Sequence, residues 1–358
     1  MEKFQERILE LIRAGGPVTD EEFDRLSALT YERQRALCPI YDRYCGRVGA
    51  ARVRTWRDIP ALPVTAFKHH RVACFTSGRA KAAFLTSGTT RGKKRGRHEF
   101  EDLRFYDAAI RSLFKAYVLP DLRPPARIDM VFLVASGRVN PESSLSHMGD
   151  RVLKEFGERR PLRALAGHGL DLERSTRRLK AAAASGRPVL VFTTTFALAD
   201  LLDRLGAQGV RIALPRGSRI METGGYKGRR TQVARPELVR LAGALLGVPA
   251  THIINEYGMT ELSSQFYDRS LRTGAAGDIK EVPPWVRVTL IDPISRSKPA
   301  QSSKPGLIRI YDLANQGSCM AVQTEDLGLM RAGGFEVLGR AAGSGARGCS
   351  LDFEGLSA

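Results

Sequence analysis

The sequence predicts an α/β protein in which largely parallel sheets carry helices on their faces, followed by a smaller antiparallel β subdomain. Three observations lead there. The runs Ile128–Ala135 (IDMVFLVA) and Pro188–Thr193 (PVLVFT) are apolar without alternation, as strands covered on both faces must be. Helical stretches at Arg151–Phe156 and Leu172–Ala184 lie between these runs, the order that joins parallel strands. From Val286 the texture changes: VRVTLID, GLIRIYDL and FEVLGRA alternate apolar and polar residues between Gly and Pro breaks, as half-buried antiparallel strands do.

From the start of the chain, Phe4, Ile8, Leu9, Leu11 and Ile12 stand at a largely helical spacing that ends at Gly15-Gly16. Thr19 with Glu22 three residues on makes a capping box for a second helix, Glu21–Leu37, which Pro39 stops. Residues 1–58 are therefore expected to form an N-terminal helical segment packed on the body. The prolines of Ile59-Pro60-Ala61-Leu62-Pro63 hold the chain extended where an α/β nucleotide-binding core, 59–280, begins. Residues 281–358 make the β-rich subdomain and the C-terminal tail, and no internal repeat or low-complexity segment interrupts the order.

A chain of 358 residues, 43% hydrophobic and 26% charged, is globular in composition and not disordered. Its formal net charge of +18 raises nucleic acid as a partner. The basic residues are mainly Arg spread along the chain, with no nucleic-acid module, zinc signature or basic tail, so an anionic nucleotide and an acidic partner protein are the expected users of that field. The N-terminus mixes Glu2, Glu6 and Glu10 with its apolar residues and lacks a signal-peptide core. No apolar run approaches the roughly 20 residues of a membrane span, so a cytoplasmic location is expected. Cys38, Cys45, Cys74, Cys319 and Cys349 are odd in number and scattered, which disfavours a disulfide framework and a zinc site.

Phe84–His98 reads FLTSGTTRGKKRGRH: an apolar run opening into Thr86, Ser87, Gly88, Thr89 and Thr90, then glycines among basic residues that include Lys93. Small hydroxyl residues around a glycine let backbone N–H and side-chain O–H groups converge on phosphate oxygens, with cations nearby. The Walker A spacing is not met, and the hydroxyl that would follow its lysine is missing, because Lys93 precedes Lys94. A second motif, IINEYGMTELSSQ (Ile253–Gln265), runs from a buried strand into a polar loop. Its aromatic Tyr257 can stack on a base, and Thr260 beside Glu261 suits magnesium bound to phosphate.

TSGTT followed by YGMTE resembles the adenylate-forming superfamily, which activates carboxylic acids with ATP to acyl-AMP. Glu222-Thr223-Gly224-Gly225, Thr324-Glu325-Asp326-Leu327-Gly328 and Gly339-Arg340 follow the same order. The forms ALPVTAFK (Ala61–Lys68), SSLSHM (Ser143–Met148), METGGYKGR (Met221–Arg229) and RGCSL (Arg347–Leu351) are similar to the LuxE-type acyl-protein synthetases, the fatty-acid-activating subunits of bacterial fatty acid reductase systems.

The resemblance implies the fold of an adenylate-forming N-terminal domain, with ATP and Mg2+ as cofactors. Thr86, Ser87, Gly88, Thr89, Thr90 and Lys93 would hold the triphosphate, Gly224 and Gly225 the adenine, Tyr257 and Thr260 the nucleotide and acyl pocket. Asp326 would take the ribose hydroxyls, Arg340 ribose or phosphate, and Glu261 the magnesium. Cys349 would accept a long-chain fatty acyl group as a thioester, Arg347 beside it favouring thiolate. His147 would polarise the acid or serve structure.

The mobile C-terminal lid of the superfamily is expected to be essentially absent, with Lys93, Lys94, Lys227 or a partner subunit taking the role of its lysine. The acyl acceptor stays open between Cys349, the thiol of a fatty acid reductase partner subunit, and coenzyme A. A non-catalytic adenylate-binding regulatory subunit is the reading from outside enzymology.

Overall fold

The computed structural model describes residues 2–49, 53–86, 94–123, 125–158, 162–163, 165–166, 169–224, 233–295, 297–301 and 303–341. The first elements are α1 (Lys3–Ala14), α2 (Asp20–Leu37), α3 (Pro39–Arg47), β1 (Leu62–Pro63), α4 (Ala66–His69), β2 (Ala82–Leu85), β3 (Arg97–Phe100) and α5 (Arg104–Tyr117). Then come β4 (Asp129–Phe132), α6 (Ser144–Phe156), β5 (Leu162–Arg163), β6 (Leu165–Ala166), β7 (Gly169–Leu170), α7 (Leu172–Ser185), β8 (Val189–Thr194) and α8 (Thr195–Ala207). The last are β9 (Arg219–Thr223), α9 (Arg235–Leu246), β10 (Ile253–Tyr257), β11 (Phe266–Tyr267), α10 (Ser270–Thr273), β12 (Val286–Ile291), β13 (Gly306–Asp312), β14 (Ala321–Arg331) and β15 (Gly334–Arg340).

Contacts divide the chain into two compact units. One contains Met1–Ser112, Met259–Gln265 and Ile279–Ala358, the other Leu113–Gly258 and Phe266–Asp278.

The second unit is built on a six-stranded sheet in the order β11-β10-β9-β8-β4-β5, parallel throughout except for β11 at its edge. The side-chain period of two explains the apolar runs. Phe132 and Phe192 set their ring centroids 5.2 Å apart, and Phe192 stacks on Phe114 of α5 at 6.2 Å. Val131, Val189, Val191 and Ile220 pack with Leu198, Leu201, Leu202 and Leu205 of α8 and Leu238, Ala242 and Leu246 of α9. Strands β4 and β8 are thus covered on both faces, and the expectation of a parallel sheet with flanking helices holds. Helix α6 starts well before Arg151, because the Ser143 side chain accepts from the Ser146 N–H at 3.2 Å and caps it there, so SSLSHM forms its first turn.

In the first unit, α1 ends where Gly15 turns left-handed at φ 65°, and Thr19 caps α2 by accepting from the Glu22 N–H at 3.2 Å. Pro39 does not simply stop the helical segment. It lies in the first turn of α3, where its missing N–H costs nothing and its fixed φ is already helical. The sheet of this unit sets β12, β13 and β14 antiparallel, with β15 antiparallel and β1 parallel to β14. TEDLG lies wholly inside β14, whose register to β15 shifts between Leu327 and Gly328. Strands β2 and β3 pair antiparallel, Leu85 opposite Arg97. Among the described residues no helix is long and apolar enough to cross a membrane.

Candidate active site

The antiparallel β2 and β3 end in a closed neck. Thr86 donates its N–H to the Gly96 carbonyl at 2.9 Å, and the Gly96 N–H donates back to Thr86 Oγ1 at 2.8 Å. A Cβ on Gly96 would stand 2.9 Å from Thr86 Cγ2 and 3.4 Å from Glu261 Oε1, so a glycine is what lets the neck close against the glutamate. Ser87, Gly88, Thr89, Thr90 and Lys93 belong to residues 87–93 and lie outside the described residues. Of the basic residues that follow, Arg95 donates to the Thr86 and Leu85 carbonyls and Arg97 to Glu99, so both have structural partners.

Thr260 and Glu261 occupy a turn after β10. Read from sequence alone, Glu261 could pass for an exposed helix-start carboxylate, yet it is 4% exposed and begins no helix. Burial raises its pKa to about 7, against the opposing pull of its own N–H and of the Lys68 and Arg340 charges, while Asp326 adds to the rise. Asp326 sits within β14, and its Oδ1 lies 3.8 Å from Arg340 Nε at the end of β15, opposite it in the ladder. A strand position removes the turn-forming reading of Asp326. Among the described residues no group of three or more His, Cys, Asp or Glu could hold a metal ion.

The backbone of this turn is pinned by residues that the motif reading passed over. His98 on β3 sets Nδ1 2.7 Å from the Thr260 carbonyl, which can only accept, so Nδ1 carries the proton, and Nε2 lies 2.8 Å from the Ser318 hydroxyl. Asn315 donates Nδ2 to the Glu261 carbonyl at 2.9 Å. Asp312, fully buried, accepts from the Ser263 N–H at 3.0 Å and the Ser264 hydroxyl at 2.8 Å; burial nonetheless raises its pKa to about 6. The one signal in the sequence is position: His98 closes the glycine-rich stretch Phe84–His98, whereas Asp312, Asn315 and Ser318 are distant in sequence and carry no motif.

His98 is 1% exposed, and burial lowers its pKa to about 4. Its folded pKa lies below the usual histidine value, so its contribution to stability is complete above about pH 6.5 and fades as pH falls toward 4, where the unfolded chain takes up the proton and the fold does not. Over that window the contribution lost is about 3 kcal/mol. His98→Asn, which keeps a donor near Nδ1 and cannot ionise, should flatten the acid limb of urea-unfolding stability against pH. An unchanged slope would show that His98 is already protonated in the fold.

In the second unit, Gly224 follows β9 and Tyr257 ends β10, neighbours at the carboxyl ends of parallel strands, where open α/β sheets form ligand crevices. Gly224 has φ 75° and free space at its Cβ position, and its carbonyl accepts from Thr195 Oγ1 at 2.6 Å. Glu222, 1% exposed, accepts from Asn255 Nδ2 at 2.6 Å and from Thr195 Oγ1, which locks the strand end. Tyr257 is half-buried, its ring centroid 6.0 Å from that of Phe266. Gly225 lies outside the described residues, as does Cys349. The other four cysteines, Cys38, Cys45, Cys74 and Cys319, are buried and unpaired by disulfides.

Solved structures that share this fold include adenylate-forming ligases. An open conformation of 2-hydroxyisobutyryl-CoA ligase in complex with 2-HIB-AMP and CoA superposes with a TM-score of 0.64 at 14% identity, covering 90% of this chain and 74% of that one. The same ligase in a postadenylation state gives 0.65 at 13% identity, over 91% and 69%. ATP-bound MatB from Rhodopseudomonas palustris gives 0.51 at 16% identity, over 73% of this chain and 48% of MatB. At these identities the likeness is one of fold. No curated protein matches the chain in sequence. The motifs around Gly224, Glu261 and Asp326 all fall within residues 165–355, more than half of the chain, which match the family model for the LuxE acyl-protein synthetases, and the chain belongs to that family.

Proposed function

We infer that this protein activates a carboxylic acid with ATP to acyl-AMP and passes the acyl group to a thiol. The observation that carries this reading is the buried Glu261 against the Thr86–Gly96 neck, in the same unit as the Asp326–Arg340 pair. A carboxylate this desolvated is stable as an anion only beside a cation. Its donor set of one side-chain carboxylate suits magnesium, which takes its remaining ligands from phosphate oxygens and water. Glu261 would hold that ion, which would supply charge neutralisation at the phosphates.

The chain's own residues do the rest. Backbone and hydroxyl donors of the segment after Thr86 would align the triphosphate, Gly224 would admit the adenine beside Tyr257, and Asp326 would accept from the ribose hydroxyls with Arg340 next to it. The acid's carboxylate oxygen attacks the α-phosphorus, the bond to the bridging oxygen breaks, and pyrophosphate leaves. The protein lowers this barrier by alignment and by fixed positive charge where negative charge grows. His98, Asn315 and Asp312 keep Thr260 and Glu261 in place without reorganisation during the step.

Family membership supports a fatty acid as substrate and a protein cysteine, Cys349, as acceptor. The likeness of fold to adenylate-forming ligases, one of them a CoA ligase bound to CoA, favours coenzyme A as the second reading of the acceptor. Purified protein incubated with ATP, magnesium and a panel of acids should yield acyl-AMP, detected by mass spectrometry, for at least one fatty acid. ATP binding without acyl-AMP for any acid would replace this reading with that of an adenylate-binding regulatory subunit.

A further inference from the structure

The link between β13 and β14, residues 313–320, is buried at every position except Gly317. A buried link has no water to satisfy its backbone, so its carbonyls and N–H groups need partners from elsewhere in the chain. Two of these come from one side chain. Gln34 of α2 is 0% exposed; its Nε2 donates to the Asn315 carbonyl at 2.8 Å, and its Oε1 accepts from the Met320 N–H at 2.9 Å. Gln34 ends the buried stripe of α2, which runs from Phe23 through Leu26 and Thr30 at helical spacing. An apolar side chain of the same length would cover that face without the cost of burying an amide, so the glutamine answers the demand of the link and not that of the helix.

A second glutamine grips the same link. Gln316 Oε1 accepts from Gln5 Nε2 of α1 at 3.1 Å, while Gln316 Nε2 donates to Thr30 Oγ1 at 3.2 Å and to the Leu313 carbonyl at 2.9 Å. The link in turn reaches the turn after β10. Asn315, whose carbonyl Gln34 holds, donates Nδ2 to the Glu261 carbonyl at 2.9 Å. The Ser318 hydroxyl lies 2.8 Å from Asn315 Oδ1 and 2.8 Å from Nε2 of His98, the residue bonded to the Thr260 carbonyl. Helix α2 is thus connected to the backbone of both Thr260 and Glu261 by an unbroken series of buried hydrogen bonds, the arrangement that fixes one geometry.

We propose that Gln34 is a positioning residue: by fixing residues 315–320 from α2 it holds the Thr260–Glu261 backbone where the Glu261 carboxylate would meet the metal ion. The assignment rests on the ATP-dependent reading above and gives the N-terminal helices a part in it. Groups that orient a metal ligand from behind govern metal affinity by about tenfold or more.

Gln34→Met keeps the side-chain length and removes both bonds. In the metal-free protein the amides of Thr260–Ser264 should exchange with deuterium about tenfold faster, the scale of one lost hydrogen bond, while those of β8 in the second unit keep wild-type rates. In acid-dependent ATP–pyrophosphate exchange the magnesium concentration for half-maximal rate should rise about tenfold, and saturating magnesium should recover most of the rate, which a merely weakened fold would not allow. Should Gln34→Met melt below the assay temperature, Gln316→Met, which frees the same link with Gln34 in place, is measured with the same expectations. Wild-type amide rates at Thr260–Ser264 overturn the proposal, as does equal loosening of β8. A wild-type magnesium requirement, or a lost rate that magnesium does not recover, overturns it as well. If no acid supports pyrophosphate exchange in the wild type, acid activation falls and the amide rates alone decide: faster ones at Thr260–Ser264 leave Gln34 as the residue that positions the turn, and unchanged ones remove it.

Discussion

Glu261→Gln should lower acid-dependent ATP–pyrophosphate exchange by about two orders of magnitude or more, the scale of losing a preorganised charge stabiliser at a reacting phosphate. The substitution keeps shape and hydrogen-bonding capacity and removes only the charge. It should not unfold the protein. Burial has already raised the Glu261 pKa to about 7, so without a bound cation its ionisation costs the fold stability as pH rises from the usual carboxylate range through that value. In metal-free buffer at pH 8 the glutamine variant should therefore equal or exceed the wild type in urea-unfolding stability, by up to about 3 kcal/mol. Lost exchange with retained or raised stability separates a role in chemistry from a role in folding. Unchanged exchange in the folded variant removes Glu261 from the site.

Cys349→Ser should abolish protein-bound acyl label and leave acyl-AMP formation largely intact. The mixed anhydride is a strong acyl donor. A thiolate attacks its carbonyl carbon, the carbon–oxygen bond to the phosphate breaks, AMP departs, and a thioester remains, the thiol proton having passed to solvent. On the proposed reading, Arg347, two residues away in RGCSL, would favour the thiolate that this step needs. With labelled fatty acid and ATP, the wild type should carry label that neutral hydroxylamine releases. The serine variant should carry none, because the thiol acts only in the second half-reaction. Normal labelling of the variant would move the acceptor to another thiol, and label found only on coenzyme A would replace protein acylation with the ligase reading.

The contrast between Glu261 and His98 shows how much of the site is legible in residue order. YGMTE and TEDLG are local patterns whose residue types answer a shared chemical demand, so Glu261 and Asp326 stand out as candidates from the amino-acid sequence alone. Their environments do not. Glu261 resembles an exposed carboxylate at a helix start and proves 4% exposed in a turn; Asp326 resembles a turn former and proves a strand residue facing Arg340 across a ladder.

Local periodicity and composition suffice for β4, β8 and α7 and for the second half of α6, because a strand covered on both faces must be continuously apolar and a crossover helix must show an apolar stripe. They misread Pro39, whose ring stops one helix and suits the first turn of the next equally well. The order of the motifs identifies the nucleotide chemistry, since spacing along the chain preserves which residue types meet a phosphate. Burial, partner and protonation state are decided only in the packed chain. The neutral His98 and the raised Glu261 arise from desolvation and from hydrogen bonds between residues as far apart as His98 and Thr260, and such terms depend on distances through space that sequence neighbours do not set.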